Sequence, residues 1–203
     1  VGSIGHIGAW SFCQDKIMTT GGEGGMVTTS SKKLWTKMWE YKDHGKSYKA
    51  VYKKAHKQGF RWLHDSFGSN FRMTEMQAAI GRVQLSKMPS WTKKRNYNAS
   101  VLLNLCNKFP ALLRTPTAPS EDLHAYYKFY TYIKEEGLKH GHSRDSILIN
   151  LNNRGVPTFS GSCSEIYLES AFDDTAFKPK ERLPIAKQLG ETSLVFLVHP
   201  TLS

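Results

Sequence analysis

Five residues, Gly21-Gly22-Glu23-Gly24-Gly25, separate two short apolar runs at residues 9–12 and 26–29, and this juxtaposition constrains the fold most. Runs of four are too short for a buried helix, and glycine supplies the backbone geometries that a reversal needs, so the pattern reads as two buried strands joined by a turn. The period changes at residue 31. Leu34, Met38 and Tyr41 recur at i, i+4 and i+7, Ser30 or Ser31 can cap the start, and Gly45 can close the end. That spacing predicts an amphipathic helix.

Residues 46–69 mix Lys, Gly, His and aromatics without a clear period, which reads as a long excursion rather than another packed element. Thr74 and Gln77 have the spacing of a capping box, and Met76, Ile80 and Val83 then share one face until Pro89 ends the helix. A third helix is expected over residues 90–108, with Leu102, Leu105 and Phe109 on one side. The stretch LRTPTAPSEDL then shifts the composition to Pro, Thr and Ser, as in a segment crossing between domains. The expected division is therefore residues 1–110 and 111–203. In the second part, residues 126–133 form an aromatic and β-branched strand. Residues 143–153 form a helix with Ile147, Leu148 and Leu151 inward and Gly155 at its end. A short helix near residues 184–189 and a strand at 194–198 complete it. Strand and helix periods alternate without an internal repeat, which makes this an α/β chain: a small α/β domain after the tail of a larger one.

The chain has 203 residues, and no apolar run reaches the roughly 18 that a membrane helix needs. No membrane partner is expected. The first ten residues hold no initiator Met, basic n-region or apolar h-region, and the start reads as a cut. Cys13, Cys106 and Cys163 are odd in number and widely spaced, which suits neither a disulfide framework nor a zinc site. A reducing, cytoplasmic setting with no metal fits them. The formal charge of +11 invites a nucleic-acid partner. Lysines 32, 33, 37, 93 and 94, however, fall on the polar faces of expected helices, so no nucleic-acid partner is expected. A basic chain suits a diphosphate-bearing small molecule equally well.

Lys16 stands just after the first strand and just before the glycine run. It reads either as a solvated lysine or as a reactive amine, and a reactive one needs a rigid, partly desolvated setting beside a phosphate site. Ser11, five residues earlier, has a hydroxyl to offer such a phosphate. The glycines either admit a cofactor close to the backbone or serve the turn alone. Asn70 reads as a turn residue ahead of the Thr74 cap. His44 sits where a helix C-terminus favours an imidazolium, and a structural role suits it. His199 follows the last strand.

Together, SFCQDKIMTTGGEGGMV, SNFRMTEMQAAIGRVQLSK at residues 69–87 and the closing VHPTLS resemble three blocks of the DegT/DnrJ/EryC1/StrS sugar aminotransferases. They occur in that family's order and span nearly the whole chain. The resemblance implies the PLP-transferase fold of type I, with the C-terminal part of the large domain leading into the small one. It implies that Lys16 carries pyridoxal 5'-phosphate (PLP) as an imine and moves protons, and that Ser11 binds the cofactor's phosphate. Asn70 would reach the phosphate of a neighbouring subunit, making a homodimer with shared sites. Arg72 would touch substrate or cofactor across that interface, or pair with a carboxylate, and His199 would lie near the substrate mouth. The implied reaction moves an amino group from an amino-acid donor such as glutamate to a keto-sugar, nucleotide-linked, in polysaccharide or secondary-metabolite sugar synthesis. A cyclitol substrate is the alternative within enzymes, and a basic regulatory or nucleic-acid-binding protein is the alternative outside them. Residues 158–167, TFSGSCSEIY, depart from the family's aromatic and histidine pattern, so the sugar does not transfer by resemblance. The family's first phosphate turn, its pyridine-pairing carboxylate and its stacking aromatic belong upstream of these residues, so the chain alone is expected to be inactive.

Overall fold

The structure, a computed structural model, describes residues 2–202. Val1, at the expected cut, and Ser203, which ends the VHPTLS block, lie outside the described residues. The chain divides into two compact units, Val1–Met88 and Pro89–Ser203.

In the first unit β1 (Gly8–Ser11) pairs antiparallel with β2 (Gly25–Thr28), Gly8 opposite Thr28 and Ser11 opposite Gly25. Both strands and the turn form as the glycine run predicts. They are not buried: Trp10, Met26 and Val27 are exposed, because a two-stranded ribbon leaves both faces open. Helix α1 (Lys32–Lys42) starts where Ser31 accepts from the Leu34 N–H. Leu34 and Met38 are half-buried, whereas Tyr41 is exposed beside Phe71. Another stripe packs more closely: Trp35 and Trp39 each meet Tyr48 edge-on with ring centroids 5.1 Å apart. Tyr48 belongs to α2 (Tyr48–Tyr52), a packed element within the expected excursion. Five residues are too few to show a period. Ser47 marks the start, its hydroxyl accepting from the Ala50 N–H.

Helix α3 (Glu75–Cys106) is one element of 32 residues, not two, and Pro89 lies inside it. Proline removes one N–H donor and crowds the carbonyl four residues back, at a cost of about 3 kcal/mol. The apolar packing of Ala99, Leu102, Leu103 and Cys106 after it works against that cost. Thr74 and Gln77 do form the reciprocal cap, with N–H to side-chain bonds of 3.0 and 3.3 Å. The face of this first stretch that meets the rest of its unit is Gln77, Ile80, Gly81 and Gln84. Met76 and Val83 are exposed.

The second unit carries a four-stranded antiparallel sheet in the order β3 (Leu113–Arg114), β4 (Phe129–Ile133), β6 (Ser193–Phe196), β5 (Thr158–Phe159). Strand β4 alternates as its sequence requires: Phe129, Thr131 and Ile133 are buried, and Tyr130 and Tyr132 are half-buried. Ala99, Cys106, Phe129 and Val198 form the core, joined by Leu102, Leu103, Leu113, Tyr126 and Phe196. The inward stripe of the later part of α3 is thus 99, 102, 103 and 106, while Leu105 and Phe109 are exposed. The second compact unit begins at Pro89, and the composition change near residue 110 falls within it. Helix α4 (Arg144–Asn153) opens on a Ser143–Ser146 capping box, and α5 (Pro184–Thr192) opens on proline. Between β5 and α5, buried Glu165 accepts from the Tyr167 hydroxyl at 2.6 Å and the Arg182 Nε at 2.9 Å. These bonds from Arg182 and Tyr167 hold its carboxyl down at about 2. Among the described residues, no helix is long and apolar enough to cross a membrane.

Candidate functional site

Lys16 sits in the tight turn that leaves β1. Its backbone N–H reaches the Cys13 carbonyl at 3.1 Å, and two further bonds fix the loop: Phe12 N–H to the Gly24 carbonyl (2.8 Å) and Thr20 N–H to the Phe12 carbonyl (3.1 Å). Thr20 is 1% exposed and anchors the loop. The glycine run serves this packing, since a Cβ on Gly24 would lie 2.2 Å from the Thr20 hydroxyl. Helix α3 holds the same loop from the side: Gln77 Nε2 donates to the Glu23 carbonyl (2.6 Å), and Gln84 Oε1 accepts from the Thr19 N–H (3.4 Å). The backbone around Lys16 is therefore over-determined by long-range bonds. The Lys16 side chain stays 38% exposed, with Nζ 3.3 Å from Asp15 Oδ1. Cys13 Sγ donates to that oxygen at 2.7 Å, so the thiol and the amine share one carboxylate. Ser11 ends β1 and is exposed; its Oγ accepts from the Cys13 N–H at 3.4 Å, which leaves the hydroxyl proton to donate elsewhere.

Asn70 and Arg72 meet on a second loop. Arg72 Nε donates to Asn70 Oδ1 at 3.2 Å, and its NH1 donates to Asp43 Oδ1 at 2.9 Å. Of the two roles open to Arg72, the carboxylate pairing is thus present. Asp43, whose side chain is 13% exposed, also faces Lys46 Nζ and His44 Nδ1, both at 3.4 Å. Burial opposes its charge, but the Lys46 hydrogen bond and the positive charges of Lys46, Arg72 and Lys42 outweigh it and hold the carboxyl below its usual range. His44 adopts φ 62° just before Gly45 at φ 87°, closing α1. A Cβ on Gly45 would lie 1.8 Å from the Ser66 carbonyl oxygen, so only glycine allows residues 66–68 to pass here. Asp43 was not singled out by the sequence, because its partner Arg72 lies 29 residues away and is met only through folding. The one available signal was an acid among surrounding Lys and Arg residues.

His199 belongs to the second unit. Its backbone carbonyl accepts from Asn98 Nδ2 at 2.9 Å, and its Nδ1 lies 2.7 Å from the Thr201 hydroxyl. The site residues thus form two local groups, Ser11 with Lys16 and Asn70 with Arg72, and His199 is held separately by α3. The donor set suits an aldehyde that bears a phosphate: a primary amine for an imine, and hydroxyl and amide N–H groups for the anion. No cluster of metal-binding side chains occurs among the described residues.

The model of the DegT/DnrJ/EryC1/StrS aminotransferase family matches residues 1–203. The X-ray structure of an aminotransferase from Psychrobacter cryohalolentis is 61% identical, with a TM-score of 0.96, over 100% of this chain and 53% of that one. The dTDP-3-amino-3,4,6-trideoxy-alpha-D-glucose transaminase of Streptomyces venezuelae is 26% identical over 100% of this chain and 48% of its own length. A protein described as a pleiotropic regulatory protein, from Geobacillus stearothermophilus, is also 26% identical, over 100% of this chain and 49% of its own. The chain spans about half the length of the curated relatives it matches.

Proposed function

Since this chain belongs to the DegT/DnrJ/EryC1/StrS aminotransferase family, we propose that its protein transfers an amino group from an amino acid such as glutamate to a nucleotide-linked keto-sugar, using PLP at Lys16. The observation that carries the reading is an accessible amine on an immobilised turn: the Lys16 backbone is held by bonds spanning the loop, and its Nζ is reachable. When bound, PLP supplies the conjugated ring that accepts the electrons of the substrate carbanion.

The chain's own residues divide the remaining work. Lys16 would hold the cofactor through Nζ, and its amine would move the proton at the substrate carbon. The Ser11 hydroxyl would donate to the cofactor's phosphate, and the Asn70 amide would do so for the partner subunit's site, which makes the working form in this reading a homodimer with shared sites. His199 and the 158–167 segment belong to the substrate side in this reading. The transaminase from Streptomyces, whose description names a dTDP-sugar, supports the substrate class. Three free cysteines support a reducing, cytoplasmic setting.

Borohydride trapping tests the reading. In the full-length protein a visible imine band should bleach on reduction, should be absent from Lys16→Ala, and should map to the Lys16 peptide. Reduced cofactor on another lysine would sink the assignment. Mixing Lys16→Ala and Asn70→Ala subunits should restore activity, because one of the two sites then holds both intact residues; no rescue in confirmed heterodimers would remove Asn70 from the shared site. Competition by a nucleoside diphosphate separates a nucleotide sugar from a free cyclitol.

A further inference from the structure

We propose that Arg72 and Asp43 are a positioning pair that fixes the orientation of the Asn70 amide, so that its NH2 group is presented as a donor to the cofactor's phosphate. The proposal rests on the reading that Asn70 holds that phosphate.

An asparagine amide has one acceptor end and one donor end, and a 180° flip exchanges them. Only the donor end is useful against a phosphate. Arg72 removes the ambiguity, because a guanidinium has five N–H donors and no acceptor: whichever end of Asn70 faces Nε at 3.2 Å must be the oxygen. The NH2 group is then left as the donor, on a residue that is exposed. Arg72 is itself fixed at its far side by the 2.9 Å bond to Asp43. Lys46 and Arg72 surround the largely covered Asp43 carboxylate and favour its charged form.

The backbone supplies the rest of the alignment. Asp43 and Asn70 are bridge partners, and three bonds zip the two segments together: His44 N–H to Ser69 O, Ser69 N–H to Tyr41 O and Phe71 N–H to Lys42 O. These bonds place the Asn70 Cα but leave its side chain free to rotate. Arg72, two residues on, reaches back to the amide through its Nε. Removing that rotation before binding is pre-organisation, and its benefit appears as cofactor affinity.

The test measures dissociation constants in the full-length protein for PLP and for pyridoxal, the same aldehyde without its phosphate. Asn70→Ala should weaken PLP about tenfold to a hundredfold, the range for a lost hydrogen bond to a charged group, and leave pyridoxal unchanged. Asn70→Asp, which keeps an acceptor for Arg72 and loses the donor, should do the same. Arg72→Ala should weaken PLP by part of that factor, and the Asn70→Ala, Arg72→Ala double variant should be no weaker than Asn70→Ala alone. Independent, multiplying losses, an unchanged Arg72→Ala, or an Arg72→Ala that loses pyridoxal as well would overturn the positioning role while leaving Asn70 as the phosphate ligand. If Asn70→Ala binds PLP as tightly as the parent, the phosphate reading itself fails and takes the proposal with it.

Discussion

The two units differ in what makes them specific. Residues 89–202 carry an apolar core in which Phe129, Val195 and Val198 are at most 2% exposed. Residues 2–88 carry Lys16 and the Asn70 loop, yet among the described residues their buried apolar side chains are Ala50 and Leu63. Polar ties replace packing there: Thr20 and Ser47 are buried, and Asp43 gathers Arg72, Lys46 and His44. Phe60, Trp62 and Phe67 stand exposed on the same unit. Packing is tolerant of its surroundings, whereas a site built from a lysine, a hydroxyl and an amide depends on exact hydrogen-bond directions. The comparison teaches that the candidate site residues lie where hydrogen bonds hold the backbone, and that the larger apolar core lies in the other unit.

The strongest way to break this comparison is Phe129→Ala, which should cost about 3–5 kcal/mol in urea unfolding of the chain, through lost burial and the cavity left behind. A loss below about 1 kcal/mol would mean that the second unit's core does not depend on that ring. Next comes acid. The Glu165 carboxyl lies at about 2 when folded against an ordinary 4.5, so the folded state binds fewer protons between those values. Its contribution is complete above about pH 4.5 and is lost as the pH falls toward about 2. Glu165→Gln should therefore flatten the acid limb of the stability curve, followed by near-UV circular dichroism; an unchanged limb would assign acid sensitivity to other carboxylates. The smallest effect sharpens the contrast. Phe67 is 100% exposed, so Phe67→Ala should shift the stability of the chain alone by less than about 0.5 kcal/mol. A larger shift in the full-length protein than in the chain alone would show that the ring is covered on assembly.

Elements whose signal is local were legible in sequence. The Ser31 cap, the Thr74–Gln77 box, the α4 start at Ser143 and the glycine turn depend on residues within a few positions of one another, and each forms. Elements whose existence depends on distant partners were not. Helix α2, β3 and β5 are five, two and two residues long, too short for any period, and they exist because Leu63, Ile133 and Phe196 offer them partners. Pro89 reads locally as a breaker, yet α3 continues through it into the apolar core formed by its later residues. The phase of α3 also slipped, because Leu105 and Phe109 are as apolar as the residues that turn inward.

For the site, the order of residues alone determined that a lysine follows a strand and precedes a glycine run, and that an Asn-Phe-Arg step precedes a capped helix. Covalent neighbours cannot drift apart, so such relations survive any fold. Only the tertiary structure decided that Thr20 anchors the lysine loop against α3, and that an aspartate 29 residues away takes the arginine which in turn orients Asn70. Those contacts are fixed by where the chain returns on itself, and the directional demands of hydrogen bonds turn that return into a particular orientation of a particular amide.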